Sequence, residues 1–296
     1  MRDHPDQPTG AQTPWGRPGA AESNYLPERP SGPAQARPGP RHPVIPDLLN
    51  KVPIVTLGFW VIKIMSTTVG ETGADYLAVN AGFGKGATSA AMAALLVIAL
   101  ITQMRSKTYI PWLYWLTVIL VSFVGTQITD LLTDGLGVSL YLSTAVFAVP
   151  LAGIFAACYR AEGTLSILSI DTPRREFFYW TAILCTFALG TAAGDLVTEA
   201  VGLGFQLGAI VFAVVIGLIA LARAFGANAV LAFWLAYILT RPLGAALGDL
   251  LSQAETYGGL GLGPMLTSLI FISIIFVLVG ISQRDTSRTV LAGLPQ

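Results

Sequence analysis

Hydrophobic positions along the chain form eight long runs between residues 53 and 283, separated by short polar segments. Each run holds roughly twenty residues, enough for an α-helix to cross the hydrocarbon core of a bilayer. The pattern therefore predicts an all-α membrane protein with eight transmembrane helices. Their expected bounds are 53–78, 87–104, 110–133, 138–159, 176–200, 205–223, 228–252 and 264–283.

The eight runs fall into four tandem copies of one unit of two runs. In every unit an aromatic residue precedes a tryptophan, a glycine follows ten residues after the tryptophan, and an aspartate follows five residues later. The tryptophans are Trp60, Trp115, Trp180 and Trp234, and the aspartates are Asp75, Asp130, Asp195 and Asp249. Because four coincidences at one spacing do not arise by chance, the pattern predicts four tandem helical hairpins. The repeats span about residues 51–106, 107–160, 173–224 and 228–284.

Composition separates the two ends of the chain from the membrane domain. Residues 1–46 contain eleven of the eighteen prolines, so we expect a disordered, Pro-rich cytoplasmic tail that cannot bury a core. The eight-helix membrane domain is expected at residues 47–284, followed by a short cytoplasmic C-terminal tail at 285–296. Only 11% of the residues are charged, against about a quarter in soluble domains. The net charge is zero, so the expected partner is the lipid bilayer and not a nucleic acid; the state of oligomerisation is not indicated.

Lysine and arginine residues outside the spans lie almost wholly on one side of the predicted membrane. Lys51, Arg105 and Arg223 belong to that side, and Lys85 is the exception on the other. The positive-inside rule then predicts that both termini are cytoplasmic. All four hairpins would enter from and return to the same face, so they are parallel in orientation. Their pseudo-symmetry axis is expected along the membrane normal.

Ionisable residues inside the predicted spans are the candidate functional residues. The four aspartates lie near the C-terminal ends of odd-numbered helices, where the helix dipole disfavours negative charge. Carboxylates at membrane depth are rare and usually functional, and three of the aspartates have a second carboxylate one helical turn away. The candidate ion- or proton-binding residues are Glu71, Asp75, Asp130, Asp134, Asp195, Glu199 and Asp249. This excess of acid predicts a bound divalent cation of the Mg²⁺, Ca²⁺ or Mn²⁺ type on these carboxylates, or protons, and no other cofactor.

Four further polar residues lie within the spans and support the acidic cluster. Thr126 and Thr191 can supply hydroxyl oxygens, and Lys63 and Arg241 would form either an internal ion pair or a gate. Arg241 precedes Pro242, so the seventh helix is expected to kink or open there. The tryptophans are expected to be anchors at the membrane interface. Glycines that would allow close helix packing are Gly70, Gly125, Gly190, Gly194, Gly244 and Gly248.

Two classes of function remain open, and a third is not expected. A secondary transporter or exporter of a small hard cation, or of a proton-coupled solute, would use the carboxylate cluster. A non-transporting membrane scaffold or sensor would act through residues 1–46, and the aspartates would then only accept structural hydrogen bonds. An enzyme is not expected, because the GxGD signature of membrane aspartyl proteases is missing at Asp195 and Asp249. Both histidines, His4 and His42, lie in the tail, which leaves no Ser/His or metal-His site within the membrane.

The repeated motif resembles a known bacterial family. The segment FWVIKIMSTTVGETGAD at 59–75, preceded by KVP at 51–53, is similar to the first copy of the repeat called domain of unknown function 347. The later copies are TQITDLLTDGLG at 126–137, TAAGDLVTEAVGLG at 191–204 and TRPLGAALGDLL at 240–251. Members resemble this chain in having four tandem copies, each with two membrane helices and a characteristic tryptophan. The resemblance covers about residues 50–283 and implies a multi-pass protein of the bacterial inner membrane, with no activity attached.

Overall fold

The computed structural model describes residues 50–77 and 84–292. The predicted N-terminal tail and the side chain of Asp75 lie outside the described part, as do the side chains from residue 285 onward. Within the described part the chain is helical and contains no strand, which confirms the all-α fold. Its long helices are α1 (Leu57–Asp75), α2 (Lys85–Arg105), α3 (Pro111–Asp130), α4 (Leu140–Glu162), α5 (Pro173–Asp195), α6 (Gly204–Ala224), α7 (Ala229–Ser252) and α8 (Pro264–Ala292).

Local sequence signals fix many of the helix ends. Helix α3 begins with Pro111, whose missing N–H is not needed in a first turn. Helix α4 ends at Gly163, which adopts φ 70° and accommodates the left-handed turn that closes the helix. Side chains that accept a hydrogen bond from a first-turn N–H cap the starts of four helices: Thr56, Ser139, Thr172 and Asn228.

Seven of the described helices, α2 to α8, are long and apolar enough to cross a membrane, which indicates a multi-pass membrane protein. Helix α1 is not among the seven, although the sequence predicted a span there. It carries Lys63 and Glu71 together with several hydroxyl side chains, and α3, α7 and α8 pack around it. These neighbours let α1 hold polar residues that lipid would not tolerate. The membrane-length part of α8 ends at Arg284.

The odd-numbered helices form an inner ring, in which α1 packs on α3, α3 on α5, α5 on α7, and α7 on α1. Each even-numbered helix packs mainly on the odd helix of the following repeat: α2 on α3, α4 on α5, α6 on α7, and α8 on α1. Burial agrees with this arrangement, since 50–61% of the residues in the spans of α3, α5 and α7 are buried, against 11–22% in α2, α4, α6 and α8. The even helices therefore form the outer, apolar layer.

The same two repeat positions meet at every junction of the inner ring. The glycine ten residues after the tryptophan of one repeat contacts the residue seven after the tryptophan of the next, and the fourth repeat contacts the first. A Cβ atom added at any of these glycines would lie 1.9–2.7 Å from the neighbouring side chain, so only glycine permits the close approach. The four pairs are Gly70 with Ser122, Gly125 with Phe187, Gly190 with Arg241, and Gly244 with Thr67.

Replacing Gly190 with alanine should lower the stability of the ring. The added Cβ would lie 2.5 Å from Cβ of Arg241 and 3.2 Å from the Ile238 carbonyl oxygen, and neither atom is the free end of a flexible side chain. We expect a loss of about 1–3 kcal/mol, typical of overpacking, measured by thermal unfolding in detergent. The matched control is Gly217→Ala in α6, where nothing lies within 4 Å; it should gain up to about 1 kcal/mol. Equal effects of the two substitutions would contradict the packing described here.

Candidate functional site

Aromatic side chains close one end of the inner ring. The aromatic residue of each repeat contacts the tryptophan of the next repeat, with ring centroids 5.5–6.3 Å apart, and the fourth repeat again contacts the first. The hydroxyl groups of Tyr114 and Tyr179 are hydrogen-bonded at 2.6 Å. These eight residues are called the aromatic cluster below. Its pairs are Phe59 with Trp115, Tyr114 with Trp180, Tyr179 with Trp234, and Phe233 with Trp60.

The tryptophans pack against neighbouring repeats. Trp115, Trp180 and Trp234 are buried, and Trp60 is half-buried. An aromatic residue of the preceding repeat contacts each indole. Interface anchoring concerns the depth of each tryptophan in the membrane and stays a prediction.

Lys63 lies deeper along the axis and is almost fully buried, with 1% of its surface exposed. Its Nζ donates to Oγ1 of Thr67 at 3.2 Å. The ammonium group also lies 4.0 Å from the ring centroid of Phe187 and 4.4 Å from that of Tyr237, a cation–π arrangement that partly replaces lost hydration. Since α1 and α5 are opposite members of the ring, the contact between Lys63 and Phe187 crosses its axis.

Arg241, which is buried, and Glu71, which is half-buried, form an ion pair further along the same axis. Nη2 of Arg241 lies 2.5 Å from Oε2 of Glu71, with side-chain exposures of 1% and 14%. The same Nη2 donates to Oγ1 of Thr126, and Thr126 donates to Oε2 of Glu71 at 3.4 Å. The contact between Arg241 on α7 and Thr126 on α3 also joins opposite helices. Lys63, Thr67, Glu71, Thr126 and Arg241 therefore form one central polar cluster.

Five of the predicted carboxylates lie beyond the central polar cluster, at the end opposite the aromatic cluster. Asp130, Asp195 and Asp249 are half-buried there, and Asp134 and Glu199 are exposed. Asp195 lies close enough to Glu71, Asp130 and Glu199 for their charges to act on it, and Glu199 is similarly close to Asp134 and Glu71. These five residues, Asp130, Asp134, Asp195, Glu199 and Asp249, are called the acidic end below. Asp130 lies sixteen positions after Tyr114, which corresponds to about 24 Å of helix, so the acidic end and the aromatic cluster are well separated along the axis.

Helix geometry changes at the aspartates of the first three repeats. A π-helical segment follows directly after Asp130 (Leu131–Gly135) and after Asp195 (Leu196–Ala200). Tyr76 and Leu77 are likewise π-helical after α1, whereas α7 continues as an α-helix past Asp249 to Ser252. Short π-helical turns are frequent at functional sites. These ones carry Asp134 and Glu199, the second carboxylates of the predicted pairs.

The remaining predicted site residues occupy supporting positions. Thr191 is buried and donates to the Phe187 carbonyl within its own helix. Gly194 and Gly248 lie at close contacts with Pro242 and with Thr72, at 3.1 Å and 3.2 Å for an added Cβ. Helix α7 continues through Pro242 without a break. Among the described side chains, no three carboxylate, histidine or cysteine groups lie close enough together to hold a metal ion.

Two features of the structure were not predicted from the sequence. The aromatic partners of Lys63 come from Phe187 and Tyr237, which looked like ordinary apolar positions of a membrane helix. A second buried ion pair joins Lys51 and Glu176 at 2.6 Å, near the aromatic end. No regular spacing links its two residues, because Lys51 precedes the first helix of the first repeat and Glu176 begins the third repeat.

The comparisons with known proteins agree with the internal repeat. The family model described as Repeat of Unknown Function (DUF347) matches the chain four times in tandem, at residues 58–109, 113–164, 178–226 and 232–286. No curated protein and no solved structure matches the chain. The four matches together cover more than half of the sequence, and each contains one inner and one outer helix of the bundle. The chain therefore belongs to the DUF347 repeat family and comprises four copies of its repeat.

Proposed function

We propose that the protein is a proton-coupled secondary transporter whose pathway follows the axis of the inner ring. The observation that carries this proposal is the Arg241–Glu71 ion pair, which lies between the acidic end and Lys63. A proton that arrives through the acidic end would compete with Arg241 for the Glu71 carboxylate. Protonation would break the ion pair and release both side chains. Binding of one proton would thus change the structure at the centre of the pathway, as coupling requires.

Charge along the axis favours protons over a hard metal cation as the coupling species. A divalent ion that passed the acidic end would next approach Arg241 and then Lys63. At 4 Å, two like unit charges repel by about 4 kcal/mol at an effective dielectric constant of 20, and a divalent ion would be repelled by about twice as much. A proton adds one positive charge instead of two, and it binds covalently to a carboxylate, so it does not have to pass the two basic side chains as a free divalent ion.

Exposure of the two ends supports alternating access. Asp134 and Glu199 are exposed at the acidic end, whereas Tyr114, Tyr179 and their neighbouring tryptophans are buried at the other. In this conformation the pathway would admit protons from the acidic end only. Separation of the side chains in the aromatic cluster would open the other end and complete a transport cycle. Pro242 cannot donate a hydrogen bond to the Ile238 carbonyl, so α7 can bend beside Arg241 at low cost.

The membrane orientation is part of the proposal. Both termini would be cytoplasmic, in the inner membrane of a bacterium, with four parallel hairpins related by pseudo-symmetry about the membrane normal. The lysine and arginine distribution supports the orientation, and the repeated junction contacts support the symmetry. The aromatic cluster would then face the cytoplasm.

Cysteine labelling tests this orientation at two exposed positions. In a background without Cys158 and Cys185, the variants Gly86→Cys and Arg105→Cys place a thiol at opposite ends of α2. A membrane-impermeant maleimide added to intact spheroplasts should label residue 86 and spare residue 105, because only residue 86 is predicted to face outward. Labelling of both positions, or of residue 105 alone, would refute the proposed orientation.

Transport itself is tested with the purified full chain in liposomes that contain a pH-sensitive dye. Small anions, cations and neutral solutes are added one at a time, and proton movement that depends on a solute is recorded. The proposal expects at least one solute to move protons, and it expects a variant that lacks residues 1–46 to do the same. A scaffold or sensor that acts through those residues would move no protons with any solute.

A further inference from the structure

The centre of the bundle holds two buried basic side chains, Lys63 and Arg241, and one half-buried carboxylate, Glu71. Lys63 and Arg241 act on each other electrostatically, and among the described side chains Glu71 forms its ion pair with Arg241. Within residues 50–77 and 84–292, no described carboxylate oxygen lies within 4.0 Å of the Lys63 ammonium nitrogen. A buried charge without an opposite charge beside it costs several kcal/mol. The two aromatic faces around Lys63 offset only about 2 kcal/mol of such a cost.

Arg241 adds unused hydrogen-bond donors to the same place. Its Nη2 donates to Glu71 and Thr126, but Nε and Nη1 are buried and have no hydrogen-bond partner among the described residues. An unsatisfied buried donor costs about 1–3 kcal/mol, and more when it is charged. Two such donors on one side chain, beside a second cation, indicate a position prepared for an acceptor that carries negative charge.

We infer that the central polar cluster binds a small monovalent anion between Lys63 and Arg241, and that this anion is the transported solute. The inference rests on the transporter proposal and specifies its substrate class. Nε and Nη1 of Arg241 would donate to the anion, and the Lys63 ammonium would supply the second charge. We expect the anion to be small, because Lys63, Thr67, Thr126 and Arg241 are all buried.

The Glu71 carboxylate would compete with the anion for Arg241. Its carboxylate already neutralises Arg241, so an arriving anion has to share or replace that ion pair. Asp195 on α5 and Glu199 on its π-helical extension lie close enough to Glu71 for the charges to interact. Neutralising Glu71 would leave Arg241 free for the anion. One proton and one anion would then enter together without a change in net charge.

Anion binding is tested on the purified full chain in detergent, by thermal shift and calorimetric titration with chloride, nitrate and formate. Gluconate, which is too large for the site, keeps the ionic strength constant. The wild-type protein should show saturable stabilisation by at least one small anion. Glu71→Gln should lower the apparent Kd about tenfold or more, because the competing carboxylate is gone. Lys63→Met and Arg241→Gln should abolish the saturable response, and Arg105→Gln, an exposed cation, should leave it unchanged.

Lys63→Met keeps the test decisive if Arg241→Gln fails to fold. Removing an unpaired buried cation should raise the unfolding temperature in gluconate while it abolishes the response to small anions. Absence of saturable binding by the wild-type protein, or binding that persists in Lys63→Met, would overturn the anion site and leave a buried water as the acceptor. If a cation or neutral solute still drives proton movement in liposomes, the transporter proposal survives that loss. If anions bind as expected but no solute moves protons, the site stands and the transporter proposal fails.

Discussion

Replacing Lys51 with methionine should destabilise the protein by about 3–5 kcal/mol, the cost of leaving one member of a buried ion pair without its partner. Lys51 and Glu176 are 6% and 1% exposed, and Nζ of Lys51 lies 2.6 Å from Oε2 of Glu176. Lys51 also donates to the Met104 carbonyl at 3.1 Å, and its backbone N–H donates to the Ile170 carbonyl at 3.2 Å. The pair therefore joins the segment before α1 to α2, to α5 and to the loop between the second and third repeats.

Two controls separate this effect from a general loss of surface charge. Arg174 pairs with Glu162 at 3.3 Å, but the Arg174 side chain is 66% exposed, so Arg174→Met should cost less than about 1 kcal/mol. Combining Lys51→Met with Glu176→Gln removes both charges and should recover most of the lost stability. Thermal unfolding in detergent measures all the variants. A single substitution no worse than Arg174→Met would show that the buried pair does not stabilise the fold.

Sequence periodicity predicted the repeats and the helices because both depend on residues that are close together in the chain. The tryptophan, glycine and aspartate spacing identified four repeats, and the apolar runs identified the helices to within a few residues, except that α8 continues to Ala292 and the predicted span ended at residue 283. Periodicity could not predict which helices pack together. Each outer helix contacts the inner helix of the next repeat, and this depends on shape complementarity at positions such as Gly125 and Phe187. Such pairs lie in different repeats and share no spacing rule.

The sequence indicated which residues belong to the candidate site, but not how they are placed relative to one another. Lys63, Glu71 and Arg241 attract attention in any membrane helix, because a charge there is costly. Their mutual placement depends on which helices face each other across the axis. For the same reason the aromatic partners of Lys63 and the burial of the tryptophans emerged only from the three-dimensional packing. A tryptophan at a helix end has the same sequence pattern whether it faces lipid or a neighbouring repeat.

Neutralising Asp130 and Asp195 together should abolish solute-driven proton movement while the protein still folds. Asp130→Asn and Asp195→Asn keep the size and the hydrogen-bonding capacity of each side chain, and a neutral amide is easier to bury than a carboxylate. Both residues lie at the acidic end, where their charges interact, and Asp195 also acts on Glu71 and Arg241. Without them a proton would have no carboxylates to carry it from the exposed end to the central ion pair.

A matched control is available for this double variant. Asp171 is an exposed carboxylate in the loop before α5, and Asp171→Asn should leave the proton flux unchanged. Elution as a single species from size exclusion, and an unfolding temperature no lower than that of the wild type, would establish that the double variant is folded.

The most direct measurement is the initial rate of solute-driven proton uptake into liposomes that contain equal amounts of wild-type protein or the folded Asp130→Asn, Asp195→Asn double variant. If protons follow the axis of the inner ring, the variant should give the rate of empty liposomes at every pH, while the wild-type rate depends on pH. Equal rates and equal pH dependence in the two proteins would show that the aspartates are structural and that protons do not follow this axis.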